Sequence, residues 1–456
     1  MGASNSKKKR KPCHGRRNVK VLMTDKMRLL QEGRVGRYYE KEVMVYACKE
    51  AEWVKERKKL KEEVKKRNSP ESPRHESHVS AQSPERSRNG SFPPPLFPQE
   101  IIFEILSNLP VKSLLRFRCV SKSWKSLIAD NFFIKKHLKR TQNDPEFSKK
   151  RVLINIADIA PRTQPGSTIK SCSLTLKSIF EDPNVNTTEI EYPSKNESHS
   201  DWIVGSCNGL VCITIRENTV LLLNPTLRVS KRLPDIGFKK RRGYTVYGFG
   251  FDASVDDYKV VGVFCYPGIV KVYSLRANCW RRIQDFPFEV FSNEAGKHVD
   301  GTLNWAVFSG QDGDFSIVSL DLAQETYKEV TQPCYGDRVD ERTLGVLDGY
   351  LCVLCSYRKL YAEVWVMKEY GKRESWTKLV SIPYLPYERS EMFLTPVSVS
   401  KSGEILLRYG VNILLYNPKK NMFRIPMFPY DVISYISQAE VYEESLVSPT
   451  AVNQHR

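Results

Sequence analysis

The sequence contains no run of eighteen apolar residues, which is about the length that a membrane-spanning helix needs. Its N-terminus is basic and lacks the apolar core of a signal peptide. Both features indicate a protein that is neither inserted in a membrane nor secreted. We therefore expect it in the cytoplasm, the nucleus or both.

Histidine is scarce, with 7 among 456 residues, and we find no GxSxG, P-loop, HExxH or paired-carboxylate motif. The 11 cysteines are scattered, and only Cys352 and Cys355 form a CxxC pair. That pair lies in an apolar, strand-like run with no second pair nearby, so we interpret both residues as buried thiols. We therefore expect no metal and no cofactor, and the motifs give no support for a catalytic site.

Positive charge is concentrated in residues 1–90, which hold 25 Lys and Arg against 12 Asp and Glu, whereas the whole chain has a net charge of +19. Gly2 begins a myristoylation pattern, a basic run follows over residues 7–11, and Cys13 lies beside it. A lipid together with a polybasic patch would hold the protein at a membrane surface as a peripheral contact. A nuclear import signal and a solvated tail fit the same residues, so all three interpretations stay open.

The extension divides into three segments by composition. Residues 1–37 are basic and predicted to be disordered. Residues 38–67 are rich in helix formers with charges of both signs, which predicts a solvated helix or a short coiled coil. Residues 68–92 are rich in Ser, Pro and Arg and cannot bury a core, so we predict a linker.

Two helical patterns separated by Pro110 lie within residues 93–140. Apolar residues recur at helical spacing from Ile101 up to that proline and again after it as far as Ile128. These patterns predict a helix hairpin whose second helix has more apolar face than the hairpin can hide. Another protein would cover the remainder, or else the hairpin is an internal subdomain that packs on its own chain.

This stretch resembles an F-box in the phrases FPQEII, LPVKSLLRFR and VSKSW, with Phe97 and Ser121 departing from the commonest pattern. The resemblance implies docking on a Skp-type adaptor, which bridges to cullin and RING subunits of a ubiquitin ligase. It also implies a receptor that itself catalyses nothing. We predict ten adaptor-binding residues: Pro98, Ile101, Ile105, Leu106, Leu109, Pro110, Leu114, Leu115, Val120 and Trp124.

Beyond Arg140, short apolar runs alternate with Gly, Asn, Asp and Pro, which is typical of an all-β domain. A polar residue followed by glycine recurs before a strand at Gly209, Gly301 and Gly349, and more loosely at Gly403. The glycines are 92, 48 and 54 residues apart. If the first interval holds two units, a period of about fifty predicts propeller blades, about six of them. A two-sheet β-sandwich is the alternative.

Further phrases repeat within residues 150–448. Asn224-Pro225 returns as Asn417-Pro418, and a strand followed by Trp280 returns as a strand followed by Trp376. With YGFGFD and the terminal YEESLV, these phrases resemble the F-box-associated, kelch-like interaction domain of plant F-box proteins.

Four tryptophans of this domain occur at turns and in buried strands, and we interpret them as core residues: Trp280, Trp305, Trp365 and Trp376. The segment after Tyr430 is predicted to supply a strand that closes the ring, because an open sheet edge would otherwise be exposed.

A basic loop precedes Tyr244 and consists of Lys239, Lys240, Arg241 and Arg242. A solvated loop, attraction to acidic or phosphorylated segments of a partner, and salt-sensitive binding to nucleic acid are the three interpretations.

The sequence therefore predicts a multidomain, mainly β protein, with an N-terminal extension, a small all-α hairpin and a propeller-like domain. We expect the substrate-recognition subunit of an SCF-type cullin-RING ubiquitin ligase, with the hairpin on a Skp-type adaptor and an unknown target protein on the β domain. The alternatives are a propeller that binds glycan, peptide or nucleic acid outside a ligase, and a propeller hydrolase.

Overall fold

The computed structural model of the protein describes most of the chain after residue 97. The described residues are 98–143, 149–158, 169–182, 185, 187–193, 201–215, 219–238, 243–287, 294–309, 314–336, 339–358, 360–384, 394–410, 412–426 and 434–450. The chain forms two units, residues 1–133 and residues 134–456.

The first unit contains short helices, which confirms the predicted helical module. The helices are α1 (Gln99–Ser107), α2 (Val111–Phe117), α3 (Lys122–Ala129) and the start of α4 (Asn131–Asn143). The second helix of the predicted hairpin is divided in two, which corrects the hairpin. Ser121 is extended and its Oγ accepts a hydrogen bond from the Trp124 N–H at 3.2 Å. Such an N-cap begins a new helix and therefore separates α2 from α3.

Aromatic side chains pack the helices of the first unit together. Phe103 lies against Phe132 and Phe133, with ring centroids 5.8 and 5.3 Å apart. Phe117 and Trp124 meet edge to face at 5.6 Å. Edge-to-face pairs add to the free energy gained from burial, so these contacts fix the positions of the short helices.

The second unit contains six four-stranded antiparallel sheets, which are the blades of a propeller. This confirms the predicted fold and blade number. Blade 1 consists of β4 (Asp201–Cys207), β5 (Leu210–Ile215), β6 (Thr219–Asn224) and β7 (Val229–Arg232). Blade 2 consists of β8 (Tyr244–Asp252), β9 (Asp257–Cys265), β10 (Ile269–Ser274) and β11 (Cys279–Arg282). Blade 3 consists of β12 (Lys297–Val299), β13 (Thr302–Ser309), β14 (Asp314–Asp321) and β15 (Tyr327–Glu329).

The remaining blades follow the same order, with the first strand innermost. Blades 4 and 5 consist of β16 (Val339–Leu347), β17 (Tyr350–Tyr357), β18 (Tyr361–Met367) and β19 (Trp376–Pro383); and β20 (Leu394–Val399), β21 (Ile405–Tyr409), β22 (Asn412–Asn417) and β23 (Met422–Arg424). Blade 6 combines β24 (Ser434–Glu443) with β1 (Lys150–Asp158), β2 (Ile169–Thr175) and β3 (Thr188–Glu189). Two short helices complete the unit, α5 (Leu176–Glu181) and a 3-10 turn (Arg373–Ser375).

The C-terminal strand closes the ring, as predicted for the segment after Tyr430. In blade 6, β24 pairs antiparallel with β1, from Lys150 opposite Glu443 to Asp158 opposite Ser434. The two ends of the propeller domain thus share one sheet, in which β24 covers the edge of β1 that would otherwise be unpaired.

The repeated polar-Gly phrases are the turns between the first and second strands of the blades. Asp300 and Gly301 have φ values of 48° and 74°, and Asn208-Gly209 and Asp348-Gly349 are alike. Two-residue hairpins of this type need a positive φ at both positions, which glycine adopts without strain. The interval of 92 residues contains blade 2, whose corresponding turn has no glycine.

The core of the propeller lies between neighbouring blades. Six clusters of buried side chains each combine residues from two adjacent blades. Trp305 and Trp376 are buried in these clusters, and Trp280 and Trp365 pack against them half-buried, which confirms all four as core residues. Cys352 and Cys355 are buried free thiols of β17, as expected. No blade could bury its faces without its neighbours.

Candidate functional site

The ten predicted adaptor-binding residues fall into two groups by exposure. Four are buried, each at most 5% exposed: Leu106, Leu109, Leu114 and Trp124. Six keep accessible surface: Pro98, Ile101, Ile105, Pro110, Leu115 and Val120. A buried side chain has no water left to lose, so only the second group offers contact area to a partner in this conformation.

Two neighbouring leucines in α2 show how these groups arise. Successive helix residues point about 100° apart, so Leu114 is buried while Leu115 is half-buried. Val111 and Phe117 lie three residues to either side of Leu114 and are buried with it. These three residues mark the inward side of α2, and Leu115 belongs to its accessible side.

Positive charge accompanies the half-buried apolar residues. The segment from Val111 to Lys125 contains five basic residues and no acidic one: Lys112, Arg116, Arg118, Lys122 and Lys125. All are exposed except Arg118, which is half-buried. This part of the module is therefore complementary to a partner with an acidic surface.

The two ends of the propeller carry different features. One end has the turns between first and second strands, and residues that precede β1 contact it, so we call it the attachment face. There Gln142 Nε2 donates to Asn208 Oδ1 at 2.8 Å, and Lys135 pairs with Asp256 at 2.6 Å. The opposite end has the turns between second and third strands and the connections between blades, and we call it the connection face.

Beyond β24, the chain continues along the attachment face to blade 1. Asn224, which is fully buried, donates from Nδ2 to the carbonyl oxygens of Ser445 at 3.1 Å and Val447 at 2.7 Å. A side chain at Gly209 would collide with Ser445, so the glycine leaves room for this segment. The terminal YEESLV phrase is therefore a clamp across the ring closure.

A buried ion pair supports the same closure. Arg151 of β1 lies 3.4 Å from Glu444, and its Nε donates to Ser173 Oγ at 2.6 Å. The Tyr442 hydroxyl is 2.6 Å from the same Ser173 oxygen. Hydrogen bonds from Arg151 to Ser173 compensate part of the desolvation that burying such a pair entails.

The inner strands surround a central channel of about 390 Å³. Its lining carries charges of both signs, among them Lys150, Lys297, Asp348, Glu440 and Glu443. Burial raises the pKa of Glu440, although Lys297 and a hydrogen bond from the Ser206 N–H at 3.1 Å act in the opposite direction. Glu440 thus ties β24 to β4 across the ring closure.

His298 also lines the channel. Its Nε2 accepts a hydrogen bond from the Phe251 N–H at 3.3 Å, and burial lowers the pKa of its imidazole. A side chain at Gly250 would collide with the His298 ring, so the YGFGFD phrase provides the space in which blade 3 packs on blade 2. In the part of the chain that the structure describes, no group of three or more His, Cys, Asp or Glu could hold a metal ion. Glu440 and His298 are therefore both engaged in joining blades.

An array of aromatic side chains surrounds Arg342 on the connection face of blades 3 and 4. We define the aromatic array as Phe308, Phe315, Tyr335, Tyr357 and Tyr361. The Arg342 guanidinium carbon lies 5.8 Å from the centre of the Phe315 ring and 5.7 Å from that of Tyr335. Sequence analysis did not single out these residues. A signal was present, because aromatic residues flank the turn between the second and third strands in both blades.

Several predictions fall outside the described residues. These are lipidation at Gly2 and Cys13, the basic loop of Lys239, Lys240, Arg241 and Arg242, and the segments 1–37, 38–67 and 68–92. They stay predictions. Of the helices that the structure describes, none combines the length and the apolar character needed to cross a membrane.

The chain thus combines a module of short helices with a closed six-bladed propeller. Residues 95–136 match the model of the F-box domain, and residues 162–433 match that of the F-box associated beta propeller domain. The chain therefore belongs to the plant F-box proteins that carry an F-box-associated propeller, which confirms the resemblance of the sequence. Proteins of this family are typically non-catalytic substrate receptors.

Curated relatives show the same combination in their names. The chain is 34% identical to the F-box/kelch-repeat protein At3g23880 of Arabidopsis thaliana, across 78% of this chain and 97% of the relative. It is 30% identical to the F-box protein CPR1 of the same plant, across 68% of this chain and 78% of the relative. Among solved structures, a nidogen/laminin complex aligns with 65% of this chain and 99% of its own at 11% identity and a TM-score of 0.41.

Proposed function

We propose that this protein is the substrate-recognition subunit of an SCF-type cullin-RING ubiquitin ligase and performs no catalysis itself. The F-box module would dock on a Skp-type adaptor, and the propeller would hold a target protein. The observation that carries the proposal is that one chain joins an F-box module, with accessible apolar residues, to a closed six-bladed propeller.

The accessible residues of the module set the energy that is available for docking. A fully desolvated apolar side chain gains about 2 kcal/mol, and a half-buried one gains about half of that. Five half-buried residues and the exposed Pro98 would therefore contribute about 7 kcal/mol, against an association cost of about 4 to 15 kcal/mol. Because this gain is marginal, the five basic residues between Val111 and Lys125 must take part, through contacts with an acidic adaptor surface.

Catalysis in this proposal is proximity. A receptor that holds a target lysine near the charged ubiquitin carrier raises its effective concentration without supplying a reacting group. The propeller suits this task, since its closed ring keeps the positions of surface side chains fixed.

The test is co-purification of the full chain with a Skp-type adaptor. Changing the half-buried Ile105 and Leu115 together to alanine removes about 2 kcal/mol of contact, which corresponds to about 30-fold weaker binding. Leu114→Ala is the folding control, because it opens a cavity in the module and lowers the melting temperature. Met422→Ala, an exposed change in the propeller, should leave adaptor binding intact. Undiminished co-purification of the double variant would contradict the proposed docking surface.

A further inference from the structure

We infer that the connection face of blades 3 and 4 binds an extended protein segment in which an Asp or Glu side chain lies next to an apolar one. The inference rests on the proposed function, because it names the part of the propeller that would hold the target. It follows from three observations on the same surface: an arginine that faces two aromatic rings, a set of further aromatic rings beside it, and an adjacent pair of exposed apolar residues.

The arginine is held in a fixed orientation. Arg342 is half-buried on β16, and its guanidinium faces two rings of the aromatic array, those of Phe315 and Tyr335. Among the residues that the structure describes, no carboxylate or carbonyl oxygen accepts a hydrogen bond from this guanidinium. A guanidinium that stacks on rings keeps its N–H edges available, and their fork geometry matches a carboxylate.

The rings continue from the arginine to the edge of blade 4. The Tyr357 hydroxyl donates to the Tyr335 carbonyl oxygen at 2.7 Å, and the Tyr357 ring stacks on Tyr361 with centroids 4.8 Å apart. At the end of this row, Tyr361 is 39% exposed and Leu360 is 67% exposed. An apolar side chain of a partner would lose water against these two residues while a neighbouring acidic residue meets Arg342.

The attachment face is less suitable for the same purpose. It already contacts residues of its own chain through Asn208 and Asp256, and the terminal segment covers Gly209. Blades 3 and 4 of the connection face carry no such contact from the described residues 134–143 and 149, or from residues 444–450.

The charge near Arg342 favours a carboxylate over a phosphate. Asp340 and Glu341, which are both exposed, precede it on β16. A phosphoryl group carries about −1.5 to −2 charges and would be repelled more strongly by the two acids than a single carboxylate. One arginine also satisfies a carboxylate in bidentate geometry, without a second cation.

The experiment selects peptides from a randomised twelve-residue library displayed on phage, using the full-length chain as bait. We expect enrichment of Asp or Glu beside a large apolar residue. Arg342→Gln should reduce the enrichment of acidic residues at least tenfold and keep the apolar preference. Leu360→Ser combined with Tyr361→Ser should reduce the apolar preference at least tenfold and keep the enrichment of acidic residues. Arg342→Lys retains the charge but loses the planar fork, so we expect an intermediate result.

Matched controls lie on the attachment face. Arg276→Gln removes a charge from an exposed turn, and Met422→Ser removes an apolar side chain that is 62% exposed. Both variants should select the same peptides as the unchanged protein. No enrichment on the unchanged protein, or an acidic preference that survives Arg342→Gln in a variant with an unchanged melting temperature, overturns the inference.

A second measurement separates carboxylate from phosphate and the docking surface from the proposed function. The most enriched peptide is synthesised with Asp, Asn or phosphoserine at the acidic position, and binding is measured by fluorescence polarisation. We expect the Asn peptide to bind tenfold more weakly than the Asp peptide. If the phosphoserine peptide binds more tightly than the Asp peptide, the assignment to a carboxylate is overturned. Adaptor co-purification of the unchanged protein is an independent measurement. Its failure would refute the ligase proposal, while the peptide data would still decide the docking surface.

Discussion

Replacement of Asn224 by alanine tests whether the C-terminal segment locks the ring. The Asn224 amide donates to Ser445 and Val447, and its Oδ1 accepts from the Thr226 N–H at 2.8 Å and the Leu227 N–H at 3.1 Å. One side chain thus holds both the turn after β6 and the segment that follows β24. Alanine would break all of these hydrogen bonds at once.

The burial of each partner sets the expected loss. Thr226 and Leu227 are half-buried, so water can replace part of their hydrogen bonds, whereas Ser445 is almost fully buried. At about 1 kcal/mol for each net hydrogen bond and about 1 to 3 kcal/mol for each buried group left unsatisfied, we expect about 3 kcal/mol of destabilisation. At about 2 to 4 °C per kcal/mol for a large domain, the melting temperature should fall by about 6 to 12 °C.

A matched control exists in blade 5. Asn417 occupies the same Asn-Pro turn, but its Nδ2 donates to Glu404 of its own blade at 3.1 Å and its Oδ1 accepts from the Lys420 N–H at 3.1 Å. Asn417→Ala should therefore lose only about 1 kcal/mol. Scanning calorimetry of the full chain measures both variants. Equal falls in melting temperature would refute the idea that the clamp across the ring closure distinguishes Asn224.

Two further predictions concern the contact between blades 2 and 3. Gly250→Ala should destabilise the propeller by about 1 to 3 kcal/mol, because the methyl group of the alanine would collide with His298. Urea unfolding measures this loss, and an unchanged midpoint of the urea transition would contradict the packing of His298 on Gly250. Burial lowers the pKa of His298 below its unfolded value of about 6.5, so the unfolded chain binds the extra proton. The stability from neutral His298 is complete above about pH 6.5 and is lost as the pH falls from there through the lower folded pKa. His298→Gln should flatten the fall of the unfolding free energy on acidification below about pH 6.5, whereas parallel curves would contradict it.

Helical periodicity located the F-box module but could not divide its apolar residues into core and surface. Leu114 and Leu115 are identical in type and adjacent, and only the packing of α2 makes one of them inaccessible. The break between α2 and α3 was also overlooked, because Ser121 interrupts an apolar pattern that continues on both sides of it. In so small a module, a change of helix direction alters which residues remain accessible.

The blades could be predicted because their turns have strict local requirements. Two-residue hairpins need Asn-Gly or Asp-Gly, so the turn at Gly301 and its equivalents appear directly in the sequence. Contacts between blades have no such local pattern. Asn224 and Ser445 are 221 residues apart, and Arg151 and Glu444 are 293 residues apart, so only the closed ring brings them together.

Stability and recognition depend on different parts of the propeller. Lys259 of blade 2 pairs with Asp252 at 2.8 Å and donates to the Leu322 carbonyl oxygen of blade 3, and all three residues are buried near the attachment face. Breaking such a buried network costs about 3 to 5 kcal/mol. Leu360 and Tyr361, which are largely exposed, contribute little to the core, and surface substitutions of this kind cost at most about 0.5 kcal/mol. The connection face can therefore change its side chains, and with them its preferred partner, while the ring stays closed.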